Sequence, residues 1–199
     1  MAIQQAAVKI TGINPLLMNN PQCVDRFNPF TRKMAAINAK KTRRTDDDFE
    51  ELKNLEIAAK LYFDESTGVY VPATWLTAAI AGSAFKTAKV SKADIRSGLF
   101  STEDKIKLHY RGDNIVKTET DIIKNGEFHH SMILKQGQVR VMKAAPIFHD
   151  WSFETVLEFD DSVIDFQTLS RIIERTAKYG GFGDFRPTFG RAIAEVKNV

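Results

Sequence analysis

Trp151-Ser152-Phe153-Glu154-Thr155-Val156-Leu157-Glu158-Phe159 is the stretch on which the fold turns. Trp151, Phe153, Thr155, Leu157 and Phe159 fall on one side of an extended chain, and Ser152, Glu154 and Glu158 on the other. A period of two with one apolar side marks a strand half-buried against a core. The period then changes. Ser162 and Asp165 open a helix expected to reach Tyr179, with Phe166, Leu169, Ile172, Ile173 and Ala177 on its buried face and Gly180 as its stop. Arg171, Arg175 and Lys178 lie on its other faces. Residues 192–196 read as a final strand.

Towards the N-terminus, residues 6–11 alternate as a first strand, broken by Gly12, Asn14 and Pro15. Pro29 opens a helix predicted from Phe30 to Lys41, and Thr45 followed by three aspartates predicts a second, running to Tyr62. Ser66-Thr67-Gly68 is a turn and 69–71 a short strand. A helix is predicted over 73–89, with Thr74 as a possible cap and small residues (Ala78, Ala79, Ala81, Gly82, Ser83, Ala84) that would let it lie close to a sheet. A short helix near 92–96, a strand over 106–111 and a hairpin of 132–134 with 138–143 complete the pattern. The order is α+β. It accommodates a ferredoxin-like (RRM-like) β-α-β-β-α-β antiparallel sheet core of roughly 100 residues. The surplus falls into a helical insertion at about 20–65 and into 90–135. No repeat or linker divides the chain, so a single domain over 1–199 is expected.

The 199 residues are 43% hydrophobic and 27% charged, a globular balance that excludes disordered and fibrous classes. No apolar run approaches the ~18–20 residues of a membrane helix. The start, MAIQQAAVKITG, has no basic-then-apolar leader pattern, and the lone Cys23 fits a reducing, cytoplasmic setting. His129 and His130 are adjacent, so on a strand they face opposite ways, and neither they nor His109 and His149 have metal-chelating spacing. No cofactor is implied.

The net charge of +3 names no partner, but its distribution is uneven. Residues 26–44 carry seven basic side chains and no acidic one, ending in Lys40-Lys41-Thr42-Arg43-Arg44. Asp46, Asp47, Asp48, Glu50 and Glu51 follow at once. One reading is a phosphate clamp. The other is a helix C-terminus facing a helix N-terminus, each with the charge its dipole favours. Lys86, Lys89, Lys92 and Arg96 would form one stripe if their helix continued.

The densest motif is Tyr179-Gly180-Gly181-Phe182-Gly183-Asp184-Phe185-Arg186-Pro187-Thr188-Phe189-Gly190-Arg191. Gly181, Gly183 and Gly190 allow positive φ and close backbone approach. Free N–H groups there would cradle an anion, with Arg186 and Arg191 as phosphate donors and Phe182, Phe185 and Phe189 as stacking platforms. The competing reading is a tight structural loop whose phenylalanines cap the core. It is not a P-loop, because it lacks Gly-Lys-Ser/Thr and runs from helix to strand.

This loop, with its flavour of Gly-x-x-x-Arg-x-x-x-Gly-Arg, is similar to the C-terminal loop of the RAMP superfamily, the repeat-associated proteins that build and process guide RNA in CRISPR effector complexes. Ile10-Thr11-Gly12-Ile13-Asn14-Pro15-Leu16-Leu17 resembles that family's first-strand segment, and Tyr70-Val71-Pro72-Ala73-Thr74-Trp75-Leu76-Thr77-Ala78-Ala79-Ile80 its lead into the first helix. Ala73 and Thr74 stand where Gly and Ser are usual, and Thr77-Ala78 where Lys-Gly is usual. The resemblance implies a ferredoxin-like fold, non-catalytic binding of RNA or single-stranded DNA, and homo-oligomers along the ligand. Lys40, Lys41, Arg43, Arg44, Gly181, Gly183, Arg186, Gly190 and Arg191 are the expected nucleic-acid contacts. Two alternatives stay open. One is a metal-independent endoribonuclease using His129, His130 or Tyr179. The other is a protein-interaction module, for instance a phage inhibitor that mimics a nucleoprotein subunit. So short a chain also suits a bacteriophage origin, with the host cytoplasm as its compartment.

Overall fold

The computed structural model describes residues 3–199. In chain order the elements are β1 (Ile3–Gly12), β2 (Leu16–Leu17), α1 (Pro29–Asn38), α2 (Asp46–Ala59), β3 (Phe63–Asp64) and β4 (Gly68–Pro72). Then come α3 (Ala73–Ala88), α4 (Lys92–Gly98), β5 (Leu99–Ser101), β6 (Lys105–Lys107) and α5 (Asp121–Lys124). The chain ends with β7 (His129–Gln136), β8 (Val139–Phe148), β9 (Ser152–Asp160), α6 (Phe166–Arg175) and β10 (Ala192–Asn198). The fold is mixed α and β with antiparallel sheets, ordered β10-β1-β9-β5, β2-β8-β7 and β3-β4-β6.

The alternation at 151–159 sets the main sheet. Trp151, Phe153, Thr155, Leu157 and Phe159 are all buried. Trp151, Phe153, Leu157 and Phe159 share one apolar cluster with Val8 and Ile10 of β1, Leu76 and Ile80 of α3, and Leu169, Ile172 and Ile173 of α6. Fully burying each large apolar side chain contributes about 1.5–3 kcal/mol. The helices therefore cover one face of this sheet. The other face stays open and polar, with Lys9 paired to Glu154 at 2.7 Å and Gln5 donating to Glu158 at 3.1 Å.

Helix starts follow the local chemistry. Asn28 accepts from the N–H groups of Phe30 and Thr31 ahead of α1, and Asp165 accepts from Thr168 N–H ahead of α6. At α2, Thr45 Oγ1 accepts from Asp48 N–H at 3.3 Å while the Asp48 carboxylate accepts from Thr45 N–H at 3.0 Å, a reciprocal capping box.

Several boundaries differ from expectation. α2 ends at Ala59 rather than Tyr62. Tyr62 instead packs edge-on against Tyr70 and Trp75, at ring-centre distances of 5.6 and 5.2 Å. Thr74 does not cap α3, because Pro72 holds the cap position and gives no side-chain bond. Ala81 and Ala84 are buried, but Ala78 and Gly82 face outwards. Lys89 adopts φ 62° and ends α3, so Lys86, Lys89, Lys92 and Arg96 are not one helical stripe. β6 stops at Lys107, and only His109 rejoins the main sheet, through reciprocal 2.8 Å bonds with Ser152.

The helical insertion closes on itself. Asn20 N–H donates to Lys60 O, and Asn20 Nδ2 donates to Leu61 O, both at 3.0 Å. The far end of α2 grips β8. Glu56 accepts from Ala144 N–H at 3.0 Å, Lys60 Nζ donates to Ala144 O at 2.7 Å, and the two side chains pair at 2.9 Å.

A second clamp joins the segments that flank β1, β9 and β10, three neighbouring strands of the main sheet. Trp151 Nε1 donates to Asn14 O, Ile13 N–H to Arg191 O, and Arg191 N–H to Asn14 Oδ1, at 2.8, 2.7 and 2.7 Å. Asn14 Nδ2 donates to Thr188 O at 2.6 Å. Glycine is required where these segments cross. A Cβ on Gly12 would sit 2.3 Å from Trp151 Nε1, and one on Gly190, at φ 73°, would sit 1.8 Å from Phe182 O. Gly190→Ala is therefore expected to destabilise by more than about 2 kcal/mol. Gly68→Ala, also at positive φ but with nothing within 4 Å of the added Cβ, should cost only about 1 kcal/mol. Thermal unfolding of the two variants side by side measures the difference, and equal losses would refute the contact as its cause.

Candidate nucleic-acid interface

The glycine-rich loop spends its backbone donors inside the fold. Gly181 N–H donates to Thr176 O, Phe182 N–H to Gly190 O, Asp184 N–H to Leu17 O and Gly190 N–H to Pro15 O, at 2.8–2.9 Å. Arg191 N–H is committed to Asn14. The loop is thus a staple between chain segments rather than an open cradle for an anion. Phe182 is 1% exposed, at the centre of the core beside Trp151 and Phe153, so it offers no stacking platform. Phe189 lies edge-on to His130 with ring centres 5.2 Å apart. Phe185, Arg186 and Arg191 remain exposed on the loop's outer side.

The basic segment divides in the same way. Lys40 is bound to the Asp48 carboxylate. Arg44 donates to Asn38 Oδ1 at 2.7 Å and lies over the Phe49 ring at 5.5 Å. Lys41 and Arg43 are exposed, with no ion pair among the described residues. Adjoining helix ends account for much of the charge segregation there.

The structure also assembles a face that sequence periodicity does not disclose. α3 packs against α6 and the turn after it. Ser83 Oγ lies 4.0 Å from where a Cβ on Gly180 would sit, so the two helix ends adjoin. Residues 83–89 and 171–180 together carry five basic side chains, Lys86, Lys89, Arg171, Arg175 and Lys178, and one acidic, Glu174. Local charge exceeds the net +3 of the whole chain. Basic residues suit helix C-termini on dipole grounds alone. That does not explain the exposure of Phe85 near the end of α3 and of Tyr179 after α6, each 60% exposed. Lys89 lies 5.1 Å over the Phe85 ring, and Arg175 and Lys178 lie 5.4 and 5.6 Å over Tyr179. The only available sequence signal was a lone Phe and a lone Tyr, each beside lysines at helix ends. Only the packing brings the two helix ends together.

The open face of the main sheet differs in chemistry. Cross-strand register aligns Glu195, Lys9 and Glu154 in one row, and the sole exposed aromatic on its strands is Phe100. It offers no succession of rings for stacked bases. The histidines are engaged in structure. A ring nitrogen of His129 lies 2.8 Å from Ile122 O, and His109 Nδ1 lies 3.5 Å from Asp113. No group of three or more His, Cys, Asp or Glu among the described residues is arranged to hold a metal ion. No helix among the described residues is long and apolar enough to cross a membrane.

No protein-family model matches this chain, and no curated protein matches it.

The Lys40 ammonium, followed by the Thr45 N–H, holds the Asp48 carboxyl below the usual carboxylate range. Its folded pKa is below that of the unfolded chain, about 4. The stability it supplies is therefore complete above about pH 5 and is lost as pH falls through the folded value. Asp48→Asn should flatten the acid limb of a melting-temperature profile between about pH 5 and 2. An unchanged profile would show that the Lys40–Asp48 pair does not couple to folding.

Proposed function

We propose that this protein binds RNA or single-stranded DNA without cleaving it, on a ferredoxin-like core of the RAMP type. The single observation that carries the reading is the pair of cation–ring sets near the adjoining ends of α3 and α6, Lys89 over exposed Phe85 and Arg175 with Lys178 over exposed Tyr179. Single strands are held by this combination. Cations track the phosphates, and each base face can stack on a ring regardless of sequence. Arg186 and Arg191 extend the basic surface along the loop that follows Tyr179. Lys41 and Arg43 add a second basic segment, with Lys40 and Arg44 beside them. Gly181 and Gly190, whose N–H groups are bonded within the fold, serve this surface by shaping the loop, and Gly183, at φ 75°, does so by letting the loop pass close to Leu17 O.

The sheet order β10-β1-β9-β5, with helices following β1 and β9, supports the ferredoxin-like core. The 10–17 and 179–191 segments that carry the RAMP resemblance lie against each other in the Asn14 clamp. Exposed Ile133 and Val139 on the β7–β8 hairpin support assembly of several copies along a strand. The lone thiol fits a reducing cytoplasm, that of the host if the chain is phage-borne. The ribonuclease alternative draws less support, because His129 is bound to a carbonyl, His130 packs on Phe189 and Tyr179 lies beneath two cations.

Fluorescence anisotropy with labelled single-stranded RNA and DNA at several salt concentrations tests this. Tyr179→Ala should weaken binding by about 1–3 kcal/mol with little change in salt slope. Arg175→Ala with Lys178→Ala should lower the slope by roughly 1.4, at ~0.7 per phosphate contact. Arg186→Ala with Arg191→Ala should act in the same direction. Absence of binding at low salt overturns the proposal, and cleavage of the labelled strand would replace it with the nuclease reading.

A further inference from the structure

We infer that the cleft between α1–α2 and the β7–β8 hairpin docks an apolar peptide segment flanked by carboxylates, supplied by a partner protein. The cleft encloses about 910 Å³, within the range of built binding sites. Three of the chain's five methionines, Met34, Met132 and Met142, line it together with Phe49, Leu52 and Leu134. Methionine is flexible and polarisable, and a surface rich in it adapts to apolar side chains of varied shape. Val24 at the margin is 78% exposed.

Two further observations select the occupant. The polar groups on the floor are already spent on one another: Glu56 and Lys60 are paired with each other and with both backbone groups of Ala144. Little is left there to read the edge of a base, which favours apolar side chains as the filling. The charged lining comprises Arg44, Lys53, Lys60 and Lys143 against Glu56 and Asp184, a net +2. Lys143 also reaches Glu56, at 3.6 Å, whereas Arg44 and Lys53 have no ion pair among the described residues, so carboxylates flanking the apolar segment meet opposite charge at those two, while a basic segment is repelled. The site is separate from the face at the ends of α3 and α6, and it stands whether or not nucleic acid binds there.

The test uses the full chain with methyl-labelled methionine and three synthetic amphipathic peptides. One has leucines at helical spacing flanked by glutamates, the second has lysines in place of the glutamates, and the third has serines in place of the leucines. The acidic peptide should shift the Met34, Met132 and Met142 methyl resonances in a saturable manner and leave buried Met18 unmoved. The other two should bind at least about tenfold more weakly, 1.4 kcal/mol. Lys53→Glu, which breaks no ion pair among the described residues, should remove the preference for the acidic over the basic peptide. Leu134→Glu should abolish the shifts while thermal unfolding reports whether the variant folds. Unmoved methyl resonances, equal shifts from the basic peptide, or shifts produced instead by a single-stranded oligonucleotide would each overturn the inference.

Discussion

Asn14 is the residue through which the two ends of this fold hold each other. Its side chain accepts from the Arg191 amide and donates to the Thr188 carbonyl, while its own carbonyl accepts from the Trp151 indole. These three bonds join the segment after β1, the start of β9 and the run into β10. Hydrogen bonds in such a crossing are worth about 1 kcal/mol each net, but leaving their partners unsatisfied costs more. The glycines are the steric half of the same constraint. Gly12 admits the Trp151 ring, and Gly190 admits the Phe182 carbonyl. The glycine-rich loop therefore serves first to bring backbone close to backbone. Any ligand contact it makes comes from the side chains it projects outwards.

The two surfaces left by this arrangement have opposite chemistry. The ends of α3 and α6 present cations over exposed rings and no cavity. The cleft beside α2 presents a cavity lined mainly by apolar side chains, with the charges on its floor paired to one another. A flexible polyanion meets the first through long-range attraction and stacking. A compact apolar segment fits the second through burial. The loop from Gly181 to Arg191 runs between them, with Phe185 and Asp184 lining the cleft and Tyr179 just before it on the basic face. Basic residues from 26–44 reach the cleft only through Arg44.

How much was legible in the sequence follows from how local each signal is. The alternation at 151–159 and the Thr45 cap are short-range patterns, and the chain adopts them as read. The end of α2 was misplaced because Tyr62 is recruited by Tyr70 and Trp75, a contact invisible to helical periodicity. The stripe from Lys86 to Arg96 failed at Lys89, a non-glycine residue in the left-handed region that no propensity marks as a stop. Within the candidate site, exposed Arg186, Arg191, Lys41 and Arg43 were readable as charges. The fate of the loop's N–H groups was not, because their acceptors at Pro15 and Leu17 lie far away in the sequence. The basic face escaped notice for the same reason, since its halves lie about ninety residues apart and meet only by packing.

The staple at Asn20 has a consequence for how the chain tolerates change. Its side chain bonds a carbonyl 41 residues later, so the whole excursion through α1 and α2 leaves and returns at one place. Joining the ends of such an excursion costs an entropy that grows only logarithmically with its length. Residues can be gained or lost at the tip of its outer turn, around 41–43, clear of Lys40, Arg44 and the Thr45 cap, for a few tenths of a kcal/mol, about the cost of lengthening a loop by half. The same excursion builds one wall of the methionine-lined cleft. The wall's outline can therefore change in length while the sheet beneath it stays in register.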